Sequence, residues 1–177
     1  MNAIEQSFLE AVLADIVYVD GFDTGMNGVQ LATLVKGRVT QPVADLVGDR
    51  FEVLAAKADP SSGYQGVVFR DRTDGTVYLA NRGTSEGSDL LADLDLGLLS
   101  GVARDQVAAM VNWWNDIALP AGTGYRALRS VPIGAADPRT FIDGGGNVAQ
   151  GTLAAEIAGA AGAGKLRVVG HSLGGHL

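Results

Sequence analysis

Ser172 lies in the run Gly170-His171-Ser172-Leu173-Gly174-Gly175, a G-x-S-x-G spacing that follows directly on the apolar stretch Leu166–Val169. A strand feeding a tight strand-to-helix turn lifts the serine hydroxyl to the carboxyl edge of a sheet, near the positive end of a helix dipole. Side chains two positions either side of that serine would collide with the neighbouring backbone, and glycine at 170 and 174 removes the collision. Gly175 permits further close approach of the following helix to the sheet. The amide of Leu173 is then free to hold a developing oxyanion, and the chemistry implied is acyl transfer through Ser172. Glycine is abundant, with 25 in 177 residues, about twice the usual ~7%. An incidental serine in a glycine-rich turn is therefore the competing account, and the strand ahead of the motif weighs against it.

A second run, Tyr78-Leu79-Ala80-Asn81-Arg82-Gly83-Thr84-Ser85 with Asp89 and Asp93 beyond it, supplies a companion signal. A strand ending in Arg-Gly-Thr, an aspartate a few residues on, and a later Gly-His-Ser-Leu-Gly-Gly together resemble the class 3 lipases and related bacterial α/β-hydrolases. The resemblance covers residues 66–96 and 147–177. It implies Ser172 as the nucleophile, the amide of Leu173 as the first oxyanion donor, and Thr84 as the second, with Asp89 tying down the oxyanion loop. It implies no cofactor and no metal, and a small-molecule or lipid ester as substrate. Each oxyanion donor is worth about 3–4 kcal/mol in the transition state. Two departures stand out: Asn81 occupies a position where the family usually has phenylalanine or another apolar residue, and Thr140-Phe141-Ile142-Asp143-Gly144 is a degenerate form of the family's His-x-Gly-Phe stretch.

In such hydrolases an acid and then a histidine follow the serine. Five residues follow Ser172 here, none of them acidic. His171 adjoins the nucleophile, where neighbouring side chains diverge. His176 lies four residues on, a position suited to packing or capping. The expectation is that residues 1–177 are the N-terminal part of a longer hydrolase, with acid and base beyond them, and that this stretch is inactive alone.

The elements that must position these groups can be traced along the chain. Asn2 caps a first helix, with Glu5 three positions later as in a capping box; Ile4, Phe8, Val12 and Ile16 recur at four-residue spacing, with Leu9 and Leu13 widening the stripe. Asp20-Gly21 and the glycines at 25 and 28 end it, and Pro42 opens a short helix through Val47. Gly66–Asp71 and Thr76–Asn81 read as two strands joined by an Asp74-Gly75 turn. The stretch 90–99 fits either a strand (Leu94, Leu96, Leu98) or a helix opening at Leu90-Leu91. Val107, Met110, Val111, Trp114 and Ile117 mark a helix over 102–119. Residues 120–146, with three of the five prolines, read as a long irregular loop holding at most a short strand, a candidate lid or acyl-binding wall. Asn147 with Gln150 starts a helix through Leu153 and Ile157, closed by Gly162 and Gly164, and a short strand follows. Helix, strand and turn in that order are the grammar of a parallel sheet covered by helices. The expected fold is a single, partial α/β-hydrolase-like domain over 1–177: a mostly parallel sheet flanked by helices and truncated just after the nucleophile elbow.

Composition narrows the classes. The net charge is −7, from 13 basic and 20 acidic residues, which repels phosphate backbones and argues against nucleic-acid binding. Cysteine is absent, which removes thiolate metal sites, and the two histidines, His171 and His176, are a poor basis for a histidine-cluster site. No apolar run reaches the ~20 residues of a membrane span, and there is no basic n-region. A cytoplasmic protein, or one secreted without an N-terminal signal peptide, is expected. Gly159 through Gly164-Lys165 lacks the Ser/Thr of a P-loop and precedes a strand; Gly122-Thr123-Gly124 has the wrong context for a dinucleotide. Asp143-Gly144-Gly145-Gly146-Asn147 and Asp20-Gly21-Phe22-Asp23 lack repeated calcium ligands and read as turns or a cap. Asp89, Asp93 and Asp95 read as solvated positions, and Trp113-Trp114 as one core and one half-exposed ring. The sequence thus predicts a serine ester hydrolase working through an acyl-enzyme. The alternatives are a non-catalytic binding module on the same scaffold and a serine hydrolase acting on peptides or thioesters.

Overall fold

In the computed structural model, which describes residues 2–83, 96–133 and 139–170, the Asn2 side chain accepts the Glu5 amide at 2.9 Å and opens helix α1 (Ala3–Ile16). The reciprocal arm of the expected capping box is redirected: the Glu5 carboxylate pairs with Arg50. The buried stripe is Leu9, Val12, Leu13 and Ile16, while Ile4 and Phe8 are 85% and 46% exposed. The expected stripe is thus rotated toward the leucines. Two further helices follow, α2 (Gly28–Val35), which the sequence reading passes over, and α3 (Gln41–Arg50), with Pro42 in its first turn where the missing N–H does no harm.

Strands β1 (Phe51–Asp59), β2 (Tyr64–Asp71) and β3 (Val77–Asn81) then run up and down. The β2–β3 turn is the Asp74-Gly75 turn expected from sequence. Gly75 takes φ +77°, Asp71 Oδ1 accepts the Thr73 amide at 2.8 Å, and Asp74 Oδ1 accepts the Thr76 amide at 2.9 Å. Helix α4 (Leu96–Ala118), the hairpin β4 (Gly124–Pro132) and β5 (Arg139–Val148), helix α5 (Ala154–Gly162) and strand β6 (Leu166–Gly170) complete the described chain.

The main sheet has the order β1-β2-β3-β6. Its two faces are both covered, so β2 and β3 are apolar nearly throughout. Val67, Phe69, Tyr78, Ala80 and Val169 pack with α1, α2 and α3; Val68, Val77 and Leu79 pack with Trp113, Ile117 and Ile157 of α4 and α5. Phe51 meets Phe69 and Tyr78 edge-on, and Phe22 meets Phe69, with centroids 5.6–6.3 Å apart. At the base of the sheet Asp71, fully buried, binds Arg50 at 2.8 Å.

This architecture corrects the expected fold class. The sheet is mixed and mostly antiparallel: β1–β2 and β2–β3 are antiparallel, and β3–β6 is the parallel pair. It is not the mostly parallel sheet of an α/β-hydrolase. Short turns join β1, β2 and β3, and short connections make antiparallel neighbours, whereas β6 arrives by a helical crossover long enough for a parallel return. Residues 120–146 are corrected too. They form most of an antiparallel ribbon, with Asn112 of α4 donating to the Leu128 carbonyl and accepting its amide, each at 2.8 Å. Asp143 and Asn147 lie in β5, so neither starts a helix. Among the described residues no helix is long and apolar enough to cross a membrane.

Candidate active site

The residues singled out by sequence, Thr84, Ser172 and Leu173, lie outside the described residues, as do His171, His176, Asp89 and Asp93. The described part holds the two strand ends that lead to them. In the parallel β3–β6 ladder Ala80 stands opposite Val169 and Asn81 opposite Gly170. Both strands run in the same direction there, so Asn81 and Gly170 end them side by side at one edge of the sheet.

Alternation along β3 sends Asn81 and Arg82 to opposite faces. Asn81, fully buried, shares the α4 side with Tyr64, whose hydroxyl donates to Asn81 Oδ1 at 2.9 Å. The phenol crosses β2 at Gly66, where any Cβ would overlap the Tyr64 hydroxyl and crowd the Trp113 ring. Burial pushes the Tyr64 pKa well above its ordinary value of 10 and keeps the group a neutral donor. Asn81 Nδ2 is buried and has no hydrogen-bond partner among the described residues. The departure from an apolar residue at 81 is therefore accommodated by a tyrosine seventeen positions upstream.

On the α1 side the ends of the helix, β2 and β3 are bound together. The Arg82 amide donates to the Gln65 carbonyl at 2.9 Å, and its guanidinium donates to Gln65 Oε1 at 2.7 Å and to exposed Asp20 at 3.2 Å. Gln65 Nε2 donates in turn to the carbonyls of Val17 and Val19, which the end of α1 leaves without helical partners. The Gly83 amide donates to the Tyr18 hydroxyl at 3.1 Å. The Tyr18 ring has the Arg38 and Arg82 guanidinium groups at 5.2 and 5.6 Å from its centroid. Asp15 holds Arg38 in place and raises its pKa through a charged hydrogen bond. The amides of Arg82 and Gly83 are both committed, so an oxyanion donor on this segment has to come from beyond Gly83.

A cleft of about 100 Å³ lies beside this network, lined by Asp20, Gly21, Phe22, Lys57, Gln65 and Gly66 among others. Substrate pockets run from ~300 Å³ upward, so it is too small for an acyl chain. Trp113 is buried and Trp114 half-buried, as the sequence reading has them. Tyr18, Tyr64 and Gln65 escaped that reading. The one signal for Gln65 is a polar residue at the mouth of an apolar strand; nothing local marks the two tyrosines. Comparison with protein-family models, curated proteins and solved structures finds no match for this chain.

Proposed function

We propose that the protein is a serine ester hydrolase acting on carboxylic esters of the acyl-lipid class, with Ser172 as nucleophile and the amides of Leu173 and Thr84 as oxyanion donors. The observation that supports this is the register of β3 against β6. A nucleophile after Gly170 and a donor after Gly83 need neighbouring strands running in parallel, and Asn81 opposite Gly170 supplies that arrangement. The resemblance of Arg82-Gly83-Thr84 and Gly170–Gly175 to the class 3 lipases supports the substrate class.

In this reading Ser172 Oγ attacks the ester carbonyl carbon and the carbonyl π electrons move onto oxygen, where the two amides hold them. Collapse of that intermediate breaks the bond to the alcohol, which leaves with the proton a general base took from the serine. Water then cleaves the acyl-enzyme by the same steps.

Labelling of the full-length protein with a fluorophosphonate probe tests the reading. The expected result is a single adduct at Ser172, lost in Ser172→Ala, with turnover of p-nitrophenyl esters. An unlabelled Ser172 in folded protein that hydrolyses no ester would replace the enzyme with a binding module. Turnover of a peptide or thioester in preference to the ester series would move the substrate class.

A further inference from the structure

We infer that β5 pairs with the β5 of a second copy of this chain, antiparallel and across a two-fold axis at Phe141. The inference stands apart from the ester-hydrolase reading. The β4–β5 ribbon is a sheet of two strands, so each strand has an outer edge whose peptide groups need a partner. On β4, Asn112 meets that need by bonding both the amide and the carbonyl of Leu128. Those two groups therefore face away from β5. Leu128 and Asp143 are then a pair without mutual hydrogen bonds, which sets the alternation along the rest of the ribbon. Asp143, Phe141 and Arg139 turn their peptide groups to the outer edge, while Ile142 and Thr140 turn theirs toward Arg129 and Val131. Pro132 opposite Arg139 agrees with this phase, because a position facing away from β5 needs no N–H for the ladder. The amides of Phe141 and Asp143 have no partner among the described residues.

The segment Arg139-Thr140-Phe141-Ile142-Asp143 is complementary to itself when turned about its centre. Position 139 of each copy falls opposite position 143 of the other, arginine against aspartate. Position 140 falls opposite 142, and Phe141 faces its own counterpart. The hydrogen-bond phase agrees, since outward residues then meet outward residues and each such pair exchanges two main-chain bonds. A slip of one residue would set outward groups against inward ones. Pairing also covers Phe141 and Ile142, which are 40% and 42% exposed, large for such side chains. The paired stretch ends at Gly145, which takes φ +106° and gives its amide to Asp143 Oδ1 at 2.8 Å, so the strand leaves the extended form there. Because Asn112 occupies the edge of β4, two ribbons joined through β5 close as a dimer and do not propagate as a filament. Pairing over so short a strand buries less than about 1,200 Å², which belongs to the transient class of interface.

Sedimentation velocity of the full chain over about 1–500 μM reads the association, the concentrations being set by a small interface. The expected result is a monomer that passes to a dimer as concentration rises. Phe141→Pro deletes an outward N–H and leaves the bonds to β4 in place, a position where an edge strand tolerates proline. It should weaken dimerisation at least about tenfold. The register is read by disulfide trapping, for which the chain brings no cysteine of its own. Thr140→Cys in one copy stands directly opposite Ile142→Cys in the other, about 4.5 Å between Cα atoms and within disulfide reach. Like positions lie about 7–8 Å apart, out of reach. A mixture of the two variants should therefore cross-link, and either variant alone should not. A chain monomeric throughout, or cross-linking no faster in the mixture than in the separate variants, overturns the inference. So does a dimer that survives Phe141→Pro, which belongs on another edge such as β6, where Val168 is 61% exposed. Should Phe141→Pro lower the thermal midpoint, the cross-linking pattern decides alone.

Discussion

Replacing Tyr64 by Phe and Asn81 by Leu, singly and together, isolates the most deeply buried polar contact of the candidate site. The Tyr64 hydroxyl and Asn81 Oδ1 are 2.9 Å apart in residues 1% and 0% exposed, with Asn81 Nδ2 unpartnered among the described residues. Tyr64→Phe leaves a whole buried carboxamide without a partner, and orphaning a buried polar group costs about 1–3 kcal/mol; about 2 kcal/mol is expected here. Asn81→Leu is close to isosteric and orphans the phenol, about 1–2 kcal/mol by the same rule, offset in part by removal of the unpartnered Nδ2. The double variant contains no polar atom at this point, and replacing both partners by apolar groups of the same shape is close to neutral, so its loss should be about 1 kcal/mol or less. The resulting coupling is about 2 kcal/mol, far outside the ~0.3–0.5 kcal/mol within which independent sites add. Urea unfolding at neutral pH reads it, with an unchanged m-value showing that the same surface is exposed each time. Additive single losses would refute the argument.

Two other outcomes follow from buried groups. Burial raises the Tyr64 pKa, and burial together with the nearby Asp71 and Asp74 charges pushes Tyr78 up to about 12, so above pH 10 the unfolded chain releases phenolic protons that the folded protein keeps. Stability from both groups is fully present below pH 10 and falls above it by up to about 1.4 kcal/mol per pH unit for each; Tyr64→Phe should flatten the alkaline limb of a stability–pH curve, and an unaltered slope would count against it. Asp71→Ala removes a fully buried carboxylate bound to Arg50 at 2.8 Å and to the Thr73 amide at 2.8 Å. It should cost about 3 kcal/mol because a half-buried Arg50 charge loses its buried carboxylate partner, and chemical denaturation showing under about 1 kcal/mol would contradict this.

What could be read from the residue order was what local physics determines. Asn2 as a cap, the Asp74-Gly75 turn and the apolar run into Gly170 all depend on neighbours within a few positions. Strand β1 was illegible because Leu54-Ala55-Ala56-Lys57-Ala58 is alanine-rich and because a bulge between Val53 and Ala55 breaks the alternation that marks a strand. The β4–β5 ribbon was hidden by its glycines and prolines, and what sustains it is Asn112 from another element. The same reason explains the site. Ser172, Thr84 and Leu173 were proposed from motifs, whereas Gln65 reaches the carbonyls of Val17 and Val19, just past α1, across 46–48 positions and Tyr18 reaches Gly83 across 65. No window of sequence contains such contacts, and no spacing rule announces them.

The β3–β6 ladder also dictates when the site can exist. Strands β1, β2 and β3 adjoin one another along the chain and can associate as soon as they emerge, but β6 waits on α4, the β4–β5 ribbon and α5 before it can reach β3. The entropy of closing that long crossover makes the parallel pair the slow, late contact of the domain. A nascent or partly unfolded molecule therefore has its Arg82-Gly83 half in place while the serine-bearing half is still undocked. In such a molecule the sheet edge at which Asn81 stands opposite Gly170 is not yet assembled, so any chemistry that needs both strand ends is withheld until the last strand docks.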